Sequence, residues 1–528
     1  MPLKTTDNAT KARPVPEFRN EPFTDFSRPD NRRAMEAAIE KVRSQLGREY
    51  ELLIGGERIR TAEKLRSYNP SRKSEVIGVF QKATPELAAL AVEKAYEQFL
   101  NWGYVPASER ADCLLRTAAI LRERKLEVAA WMVFEVSKSW AEADADVAEA
   151  IDFCEFYAGE MLRLSGPQPL TPVPGEENEL RYIPLGVGVV IPPWNFPLAI
   201  MVGMTTAAWV SGNTVVLKPS SDSPAIAAQF MNILGDAGLP PGVVNFLTGS
   251  GAIAGDALVK HPKTRFVAFT GSKEVGLNIN ELAAKTAPGQ IWIKRVIAEM
   301  GGKDSIIVDS DVDLDAAVTG VLASAFGFQG QKCSACSRAI VVENVYDEFV
   351  EKLRVKAERL RVGETDDPGN YMGAVINETA MKSILNYIEV GKKEGRLITG
   401  GKAAPGDGYF IEPTIIADVP PRARISLEEI FGPVLAILKA ENFDQALEIG
   451  NNTEYGLTGS VFSKSRENLE RARSRFHVGN LYFNRKCTGA MVGGHPFGGF
   501  NMSGTDSKAG GRDYLLLFTQ AKVIAERI

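Results

Sequence analysis

The chain has 528 residues, enough for roughly two to four domains that each bury a core. Hydrophobic residues make up 45% and charged residues 24% of the chain, and the net charge of -5 gives no electrostatic basis for binding nucleic acid or an anionic membrane. Its five cysteines lack the density of a disulfide scaffold, and its three histidines are too scattered for a histidine-rich metal site.

Targeting and membrane signals are absent from the pattern. Residues 1–20 are polar and lack the apolar core of a signal peptide. The longest apolar stretch, 185–210, is interrupted by Pro192, Pro193, Asn195 and Pro197, whereas a bilayer span needs about 20 unbroken apolar residues. We therefore expect a cytoplasmic protein with reduced thiols and no membrane span.

The first half of the chain predicts a helical region followed by alternating strands and helices. Residues 1–50 are interpreted as an arm that leads into a helix at 31–46, and apolar residues at i, i+3 and i+4 predict helices across 86–163. From residue 186 the predicted strands are 186–191, 213–218, 243–247 and 265–269. The helices predicted between and after them are 224–237, 251–260 and 273–284. This alternation favours a parallel sheet with helices on both faces.

A second alternation begins near residue 304. It predicts a strand at 305–308, a helix at 314–326, a loop around Cys333, a strand at 338–343 and a helix at 345–361. The glycine-rich segments 399–408 and 489–511 are interpreted as loops. Residues 514–528 are apolar and β-prone, so they pair either with another subunit or with their own domain.

Three polar features lie in the first alternation. Asn195 lies in a proline-rich turn, where its amide could be an oxyanion donor or could simply bond its own backbone. Lys218 ends a predicted strand, the edge at which open α/β sheets bind ligands, although a lone lysine is more often only solvated. The turn that contains Gly251 has the spacing GxGxxxG, which is compatible with a phosphate site or with an ordinary tight turn.

Two further residues are candidates for covalent chemistry. Cys333 lies in a glycine-containing loop beside Lys332, and a neighbouring positive charge favours the thiolate. Glu299 precedes paired glycines and is a candidate general base, although most glutamates are solvated surface groups. Cys333 and Cys336 also form a CxxC, which could be a redox pair or half of a zinc site. No second CxxC and no histidine at ligand spacing accompany it, so we interpret Cys336 as a packing residue and expect no metal.

Taken together, these segments resemble the aldehyde dehydrogenase superfamily over residues 50–520. The matching motifs, in the family's order, are 193–197 (PWNFP), 218–219 (KP), 249–255 (GSGAIAG), 269–272 (FTGS), 299–303 (EMGGK), 330–333 (GQKC), 429–433 (EIFGP) and 496–499 (PFGG). A closer resemblance is to the L-glutamate γ-semialdehyde dehydrogenases. It is carried by 325–335 (AFGFQGQKCSA), 477–485 (HVGNLYFNR), 488–490 (TGA) and 20–23 (NEPF).

The resemblance implies an α/β fold with two doubly wound parallel-sheet domains and a small β oligomerisation element. Residues 1–167 and 188–298 are expected to form the NAD-binding domain with its N-terminal helical arm. Residues 299–499 are expected to form the catalytic domain, and 168–187 with 500–528 the oligomerisation element. The family also implies a homodimer or a larger assembly, and a functional link to a proline dehydrogenase.

The resemblance also implies roles for individual residues. Cys333 would attack the aldehyde, Asn195 would stabilise the oxyanion and Glu299 would activate water to hydrolyse a thioester. The residues expected at the cofactor are Trp194, Lys218, Ser221, Gly251, Phe269, Ser272, Glu429 and Phe431. The residues expected at the substrate are Phe196, Ser334, Gly489, Ala490 and Phe497; the backbone at 489–490, with Ser334, would receive the α-carboxylate.

The implied reaction is NAD-dependent oxidation of L-glutamate γ-semialdehyde to L-glutamate, in proline and arginine breakdown. One position departs from the family: Ser221 stands where many members carry a glutamate for the adenine ribose, so NADP remains an alternative cofactor. The alternative functions are another aldehyde dehydrogenase, such as one for succinic semialdehyde, a CxxC thiol-redox protein, or a non-catalytic family member.

Overall fold

The computed structural model describes residues 17–528; the expectation about a signal peptide falls largely on residues outside this range. The helices are α1 (Pro29–Arg43), α2 (Pro85–Trp102), α3 (Ala107–Glu123), α4 (Lys125–Val136), α5 (Trp140–Ser165), α6 (Ala199–Val210), α7 (Pro224–Asp236), α8 (Asp256–Lys260), α9 (Lys273–Ala284), α10 (Leu314–Phe326), α11 (Glu343–Ala357), α12 (Glu378–Glu394), α13 (Arg424–Leu427), α14 (Phe443–Asn451) and α15 (Arg466–Arg475). Across residues 17–528, no helix combines the length and the apolar character that crossing a membrane requires.

The strands form two large sheets and three small ones. They are β1 (Arg48–Tyr50), β2 (Leu52–Ile54), β3 (Glu57–Ile59), β4 (Lys64–Asn69), β5 (Arg72–Gln81), β6 (Glu176–Pro184), β7 (Val187–Ile191), β8 (Thr214–Leu217), β9 (Val244–Phe246), β10 (Thr264–Thr270), β11 (Arg295–Glu299), β12 (Ser305–Val308), β13 (Arg338–Val342), β14 (Arg396–Thr399), β15 (Thr414–Ala417), β16 (Val434–Ala440), β17 (Tyr455–Gly456), β18 (Thr458–Phe462), β19 (Asn480–Phe483), β20 (Phe500–Asn501) and β21 (Thr519–Arg527).

The first large sheet has the order β11-β10-β7-β8-β9-β2-β3. Strands β7 to β11 pair in parallel, and β2 and β3 extend the sheet in antiparallel orientation. Their β-branched runs are buried on both faces because helices cover both faces. The carboxyl ends of β7, β8 and β10 therefore meet at one edge, which places the turns that follow them side by side.

The second large sheet has the order β14-β15-β16-β13-β12-β18-β19. All neighbouring pairs are parallel except β14 with β15. Helices α10, α11 and α14 cover its faces with apolar side chains. The two sheets confirm the predicted α/β class with doubly wound parallel sheets.

A two-stranded antiparallel ribbon joins the C-terminus to the middle of the chain. Strand β21 pairs with β6 from Thr519 opposite Pro184 to Arg527 opposite Glu176. Most of β21 is exposed, including Val523 at 67%. Within this chain the β-prone C-terminus thus pairs with residues 176–184, the segment expected to share its domain.

Three local features differ from the sequence expectations. The sequence pattern predicted no strands between residues 48 and 81, where β1 to β5 lie, because β1 to β3 have only three residues each and all but β2 carry charged residues. The predicted helix at 251–260 begins as one wide π-turn over Gly251–Gly255 before α8. Glu299 is the last residue of β11 rather than part of a turn, and the paired glycines follow it.

Candidate active site

Two cavities meet at Cys333. The larger has a volume of about 500 Å³ and opens at the carboxyl ends of β7, β8 and β10. Every residue predicted for the cofactor lines it, as does Asn195. The smaller has a volume of about 110 Å³, and Glu299 and every residue predicted for the substrate line it. Phe269, Thr270 and Met300 line both cavities, so the two spaces share a wall beside the sulfur.

The loop that carries Cys333 is held by side chains that precede it. The tight turn 327–330 places Phe328 and Gln329 at positive φ, and Gly330 follows at φ 68°. Gln329 Nε2 donates to Ser137 O at 3.1 Å and to Ala374 O at 2.9 Å. Such unfavourable backbone angles persist only where the surroundings over-determine them, so the position of the thiol is fixed before substrate arrives.

The environment of Cys333 favours the thiol over the thiolate. Burial raises its pKa above the usual range, and the neighbouring carboxylates of Asp304 and Glu429 raise it further. The expectation that Lys332 activates the sulfur is wrong. Its Nζ lies 2.7 and 2.8 Å from the carboxylate oxygens of Glu142, because the side chain leaves the loop toward α5.

Asn195 is held close to the nucleophile loop. Its buried side-chain amide donates from Nδ2 to the backbone carbonyl of Gln331 at 3.0 Å. An amide nitrogen has two N–H groups, so one remains for a ligand. Because Asn195 and Cys333 line the same cavity, this donor is in place for an oxygen that develops charge there.

Glu299 is tied to the loop that follows residue 498. Its carboxylate accepts hydrogen bonds from Gly499 N at 3.0 Å, from Ser507 N at 3.2 Å and from Ser507 Oγ at 2.6 Å. Burial raises its pKa to about 7, and these hydrogen bonds oppose that shift. A carboxyl group with this pKa exchanges protons readily at neutral pH, which suits general base catalysis.

The larger cavity has the groups that a dinucleotide requires. The buried Lys218 has its pKa lowered to about 8 by burial, and its Nζ makes only a 3.4 Å contact with Pro219 O. The Glu429 carboxylate accepts from Gly302 N at 3.0 Å and keeps its other lone pairs. The Lys218 ammonium can therefore still donate hydrogen bonds to a phosphate or to ribose hydroxyls, and the Glu429 carboxylate can still accept them from ribose hydroxyls.

The remaining walls of the larger cavity are aromatic or small. The rings of Trp194 and Phe431 meet edge to face with centroids 5.5 Å apart. Ser272 caps α9 by accepting from Val275 N, and the N-terminus of this helix favours anions. A Cβ added to Gly251 would meet nothing within 4 Å, so the turn leaves open space for a ligand. The cavity therefore fits NAD.

Sequence reasoning missed Asp222, which follows Ser221 and lines the same cavity. Its Oδ1 accepts a hydrogen bond from Asn377 Nδ2 at 3.1 Å. The family pattern drew attention only to residue 221, where the carboxylate is missing. A search of the flanking positions for an acidic residue would have found it.

The smaller cavity combines rings, small residues and one unexpected carboxylate. Phe196 and Phe497 line it together with the turn Gly489–Ala490, where Gly489 has φ 74°. The unexpected residue is Glu149 on α5, whose side-chain carboxyl group makes no hydrogen bond among residues 17–528. Burial raises its pKa to about 8. In sequence Glu149 is one of several glutamates on a helix, so only the tertiary structure identifies it.

Cys336 lies behind the nucleophile loop. It is buried in the apolar cluster beneath β12 and β13, and its thiol donates to Arg338 O at 3.4 Å. Within residues 17–528, no group of three or more histidine, cysteine or acidic side chains is arranged to hold a metal ion.

The sequence model of the aldehyde dehydrogenase family matches residues 59–524. The chain belongs to the aldehyde dehydrogenase family. The 1-pyrroline-5-carboxylate dehydrogenase of Geobacillus thermodenitrificans (strain NG80-2) is 59% identical over 512 residues, which are 97% of this chain and 99% of that protein. This membership confirms the family resemblance and favours an aldehyde dehydrogenase over a thiol-redox protein.

Solved structures of other family members superpose closely. A 1-pyrroline-5-carboxylate dehydrogenase from Thermus, determined with bound NAD, has a TM-score of 0.96 and 52% identity, covering 97% of this chain and 100% of that one. Proline utilization A from Bdellovibrio bacteriovorus has a TM-score of 0.95 and 45% identity, covering 97% of this chain and 53% of that one. The family fold thus extends over nearly the whole chain.

Proposed function

We propose that this aldehyde dehydrogenase oxidises L-glutamate γ-semialdehyde, the open form of 1-pyrroline-5-carboxylate, to L-glutamate with NAD. The observation that carries the proposal is the meeting of two cavities at Cys333, one suited to a dinucleotide and one to a small polar aldehyde. The similarity to 1-pyrroline-5-carboxylate dehydrogenases along the full chain supports the same substrate.

The covalent chemistry is assigned to Cys333. Its sulfur bonds to the aldehyde carbon, and the carbonyl oxygen becomes an oxyanion that receives an N–H from the amide of Asn195. Bound NAD supplies the oxidising power by accepting a hydride. The product of that step is a thioester on Cys333, which water must cleave to release the acid and regenerate the thiol.

Glu299 is the proposed base for both proton transfers. It lines the small cavity with Cys333, and its pKa of about 7 leaves a substantial ionised fraction at neutral pH. The raised pKa of Cys333 means that its proton must be removed as it attacks. After that proton has passed to solvent, the same carboxylate accepts a proton from the water that hydrolyses the thioester, and the departing sulfur takes up a proton to restore the thiol.

Glu149 supports an amino-acid aldehyde over succinic semialdehyde. The two aldehydes share a chain and a carboxylate, but only glutamate semialdehyde carries an ammonium group. Burial raises the pKa of the Glu149 carboxyl to about 8, and a substrate ammonium group beside it favours the ionised carboxylate and lowers that pKa again. The turn at Gly489–Ala490 and Ser334 are the proposed partners of the substrate carboxylate.

The remaining cofactor and assembly assignments are also proposals. Lys218 and Glu429 hold ribose hydroxyls, Ser272 and Gly251 lie at the pyrophosphate, and the carboxylate of Asp222 favours NAD over a 2′-phosphorylated cofactor. We propose three parts of the chain: an NAD-binding domain of residues 1–167 and 188–298, a catalytic domain of residues 299–499, and an oligomerisation element of residues 168–187 and 500–528. The oligomerisation element is proposed to join chains into a homo-oligomer.

The cellular setting is proposed on chemical grounds. Five cysteines, all free in the structure, suit a reducing cytoplasm. The match to just over half of proline utilization A supports a functional link to a proline-oxidising enzyme that supplies the substrate.

The test is a product-resolved assay with 1-pyrroline-5-carboxylate and NAD or NADP in turn. We expect NADH and L-glutamate to form in equal amounts, with NAD the better cofactor, and Cys333→Ala to form neither. Glutamate formation by Cys333→Ala, or NADH formation without glutamate, would refute the assignment.

A further inference from the structure

The segment 17–28 runs over α5. Within it, the side-chain amide of Asn20 bonds two distant parts of the chain. Its Nδ2 donates to Asp152 Oδ2 on α5 at 2.7 Å and to the backbone carbonyl of Val492 at 3.0 Å. No other donor among residues 17–528 bonds this carbonyl, whose residue is only 5% exposed. One amide therefore joins a helix to a loop.

A second contact from the same segment supports the first. The ring of Phe18 packs edge to face on Phe156 of α5, with centroids 5.2 Å apart. A Cβ added to Gly493 would lie 3.1 Å from Phe18 and 3.2 Å from Phe156. The segment thus touches residues 492–493 through both a hydrogen bond and an aromatic ring, and Glu21 N donates to Asp152 Oδ1 at 2.6 Å.

The two bridged elements both line the small cavity. On α5, Glu149 lies one turn before Asp152, and Phe153 follows it; both line the cavity. In the loop, Gly489 and Ala490 line the cavity just before Val492. The bridge made by Asn20 therefore sets the separation between the Glu149 carboxylate and the turn at 489–490.

We propose that Asn20 is a positioning residue that fixes the spacing of the two polar ends of the substrate site. The inference rests on the proposed function, in which Glu149 faces the substrate ammonium and the 489–490 turn faces its carboxylate. Both groups sit on one carbon of the substrate, so the two walls must be held at one separation.

The inference is tested with Asn20→Ala and the matched control Thr24→Val. Thr24 Oγ1 bonds Asp144 on the same helix at 2.5 Å but does not contact residues 489–493. We expect Asn20→Ala to raise the KM for 1-pyrroline-5-carboxylate about tenfold. We expect it to leave kcat, the KM for NAD and the kcat/KM for propionaldehyde unchanged, because propionaldehyde carries neither polar group. Thr24→Val should leave all four values unchanged.

Equal losses on both aldehydes, or the same response to both variants, would overturn the inference. Gly493→Ala changes the contact between residue 493 and Phe18 and should give the same selective rise in the KM for 1-pyrroline-5-carboxylate. This second variant tests the inference if Asn20→Ala does not fold. A wild-type enzyme without preference for the amino-acid aldehyde would instead refute the proposed function. A preference for the amino-acid aldehyde that is undiminished in Asn20→Ala would refute this inference alone.

Discussion

Cys333 has carboxylates as its nearest charges, and Lys332 is paired with Glu142. The reactivity of the thiol must therefore come from a base in the cavity rather than from a neighbouring cation. Glu299 is the carboxylate that lines the cavity with it and has a pKa of about 7. This assignment gives a pH-dependent prediction.

Glu299→Gln should slow both hydride transfer and thioester hydrolysis, because it removes the base for both proton transfers. General base catalysis contributes about 100- to 10,000-fold, so the rate of the NADH burst and the steady-state turnover should both fall by that order. In the wild type, turnover should rise with pH through about 7, because the protonated carboxyl cannot accept a proton. Stopped-flow absorbance across pH 5.5–8.5 measures the burst and the turnover. An unchanged burst rate would remove Glu299 from the attack of the thiol, and unchanged turnover would remove it from hydrolysis.

Glu149→Gln should reduce activity selectively toward the amino-acid aldehyde. Breaking one partner of a buried charge pair costs about 2–5 kcal/mol, so kcat/KM for 1-pyrroline-5-carboxylate should fall at least tenfold. Turnover of succinic semialdehyde should stay constant or rise, since no ammonium is lost. Steady-state kinetics on both aldehydes decide the matter. A parallel decrease on both would place Glu149 in a structural role.

Sequence motifs predicted Asn195 as a site residue, and the structure places it in the cavity wall beside Cys333. They could not point to Glu149, because its place at the cavity depends on where α5 passes. They also misjudged Lys332, since adjacency in sequence does not fix the direction of a side chain. Its partner Glu142 lies 190 residues away along the chain.

At the scale of elements, the turn 327–330, which precedes Cys333, is tightly constrained. Gly330 has φ 68°, and a Cβ there would lie 2.3 Å from Gly432 O. The turn can thus accept no side chain without moving the Cys333 loop or the loop that carries Phe431. Both loops line the larger cavity.

Gly330→Ala should therefore lower stability and abolish most activity. The positive φ alone costs about 1–2 kcal/mol, and the overlap with Gly432 adds to that cost. Gly175→Ala is the matched control, because Gly175 has φ 77° and no atom within 4 Å of the added Cβ. It should show only the smaller loss of stability, with normal kcat. Denaturant unfolding and kinetics compare the two; equal effects would contradict the proposed constraint.

The elements that sequence reasoning located well are those with strong local signals. Helix α9 matches its predicted bounds, and α7 differs by one residue, because apolar periodicity marked both helices and Gly238 marked the end of α7. Strands β1 to β5 were missed because most of them carry exposed charged residues and β1 to β3 have only three residues each, although β2–β3 and β4–β5 are local hairpins. The sequence predicted a helix at 251–260 but not that its first turn is a π-turn, because glycine and alanine do not distinguish a π-turn from an α-helix.

At the scale of the whole molecule, the β6–β21 ribbon is the part that is least stable by itself. Two strands alone are marginally stable in water, and most of β21 faces solvent in a single chain. Sequence pattern predicted that this segment pairs, but could not say with what. The structure pairs it with β6 and leaves an exposed ribbon that suits contact with another subunit.

A chain that ends at Thr519 should therefore form a smaller assembly than the full-length protein. The cut removes most of β21 but keeps the hydrogen bonds from Arg295 to the carbonyls of Leu516 and Thr519. Light scattering after size-exclusion chromatography measures the mass of each species, and circular dichroism checks that the shortened chain is folded. An unchanged mass would remove the ribbon from the interface.

The most direct test of the proposed function compares kcat/KM for 1-pyrroline-5-carboxylate and for succinic semialdehyde in the wild-type enzyme, with NAD and with Cys333→Ala as the blank. The geometry of Glu149 and the 489–490 turn predicts at least a tenfold preference for the amino-acid aldehyde and no turnover in the blank. Equal values for the two aldehydes, or turnover by Cys333→Ala, would contradict it.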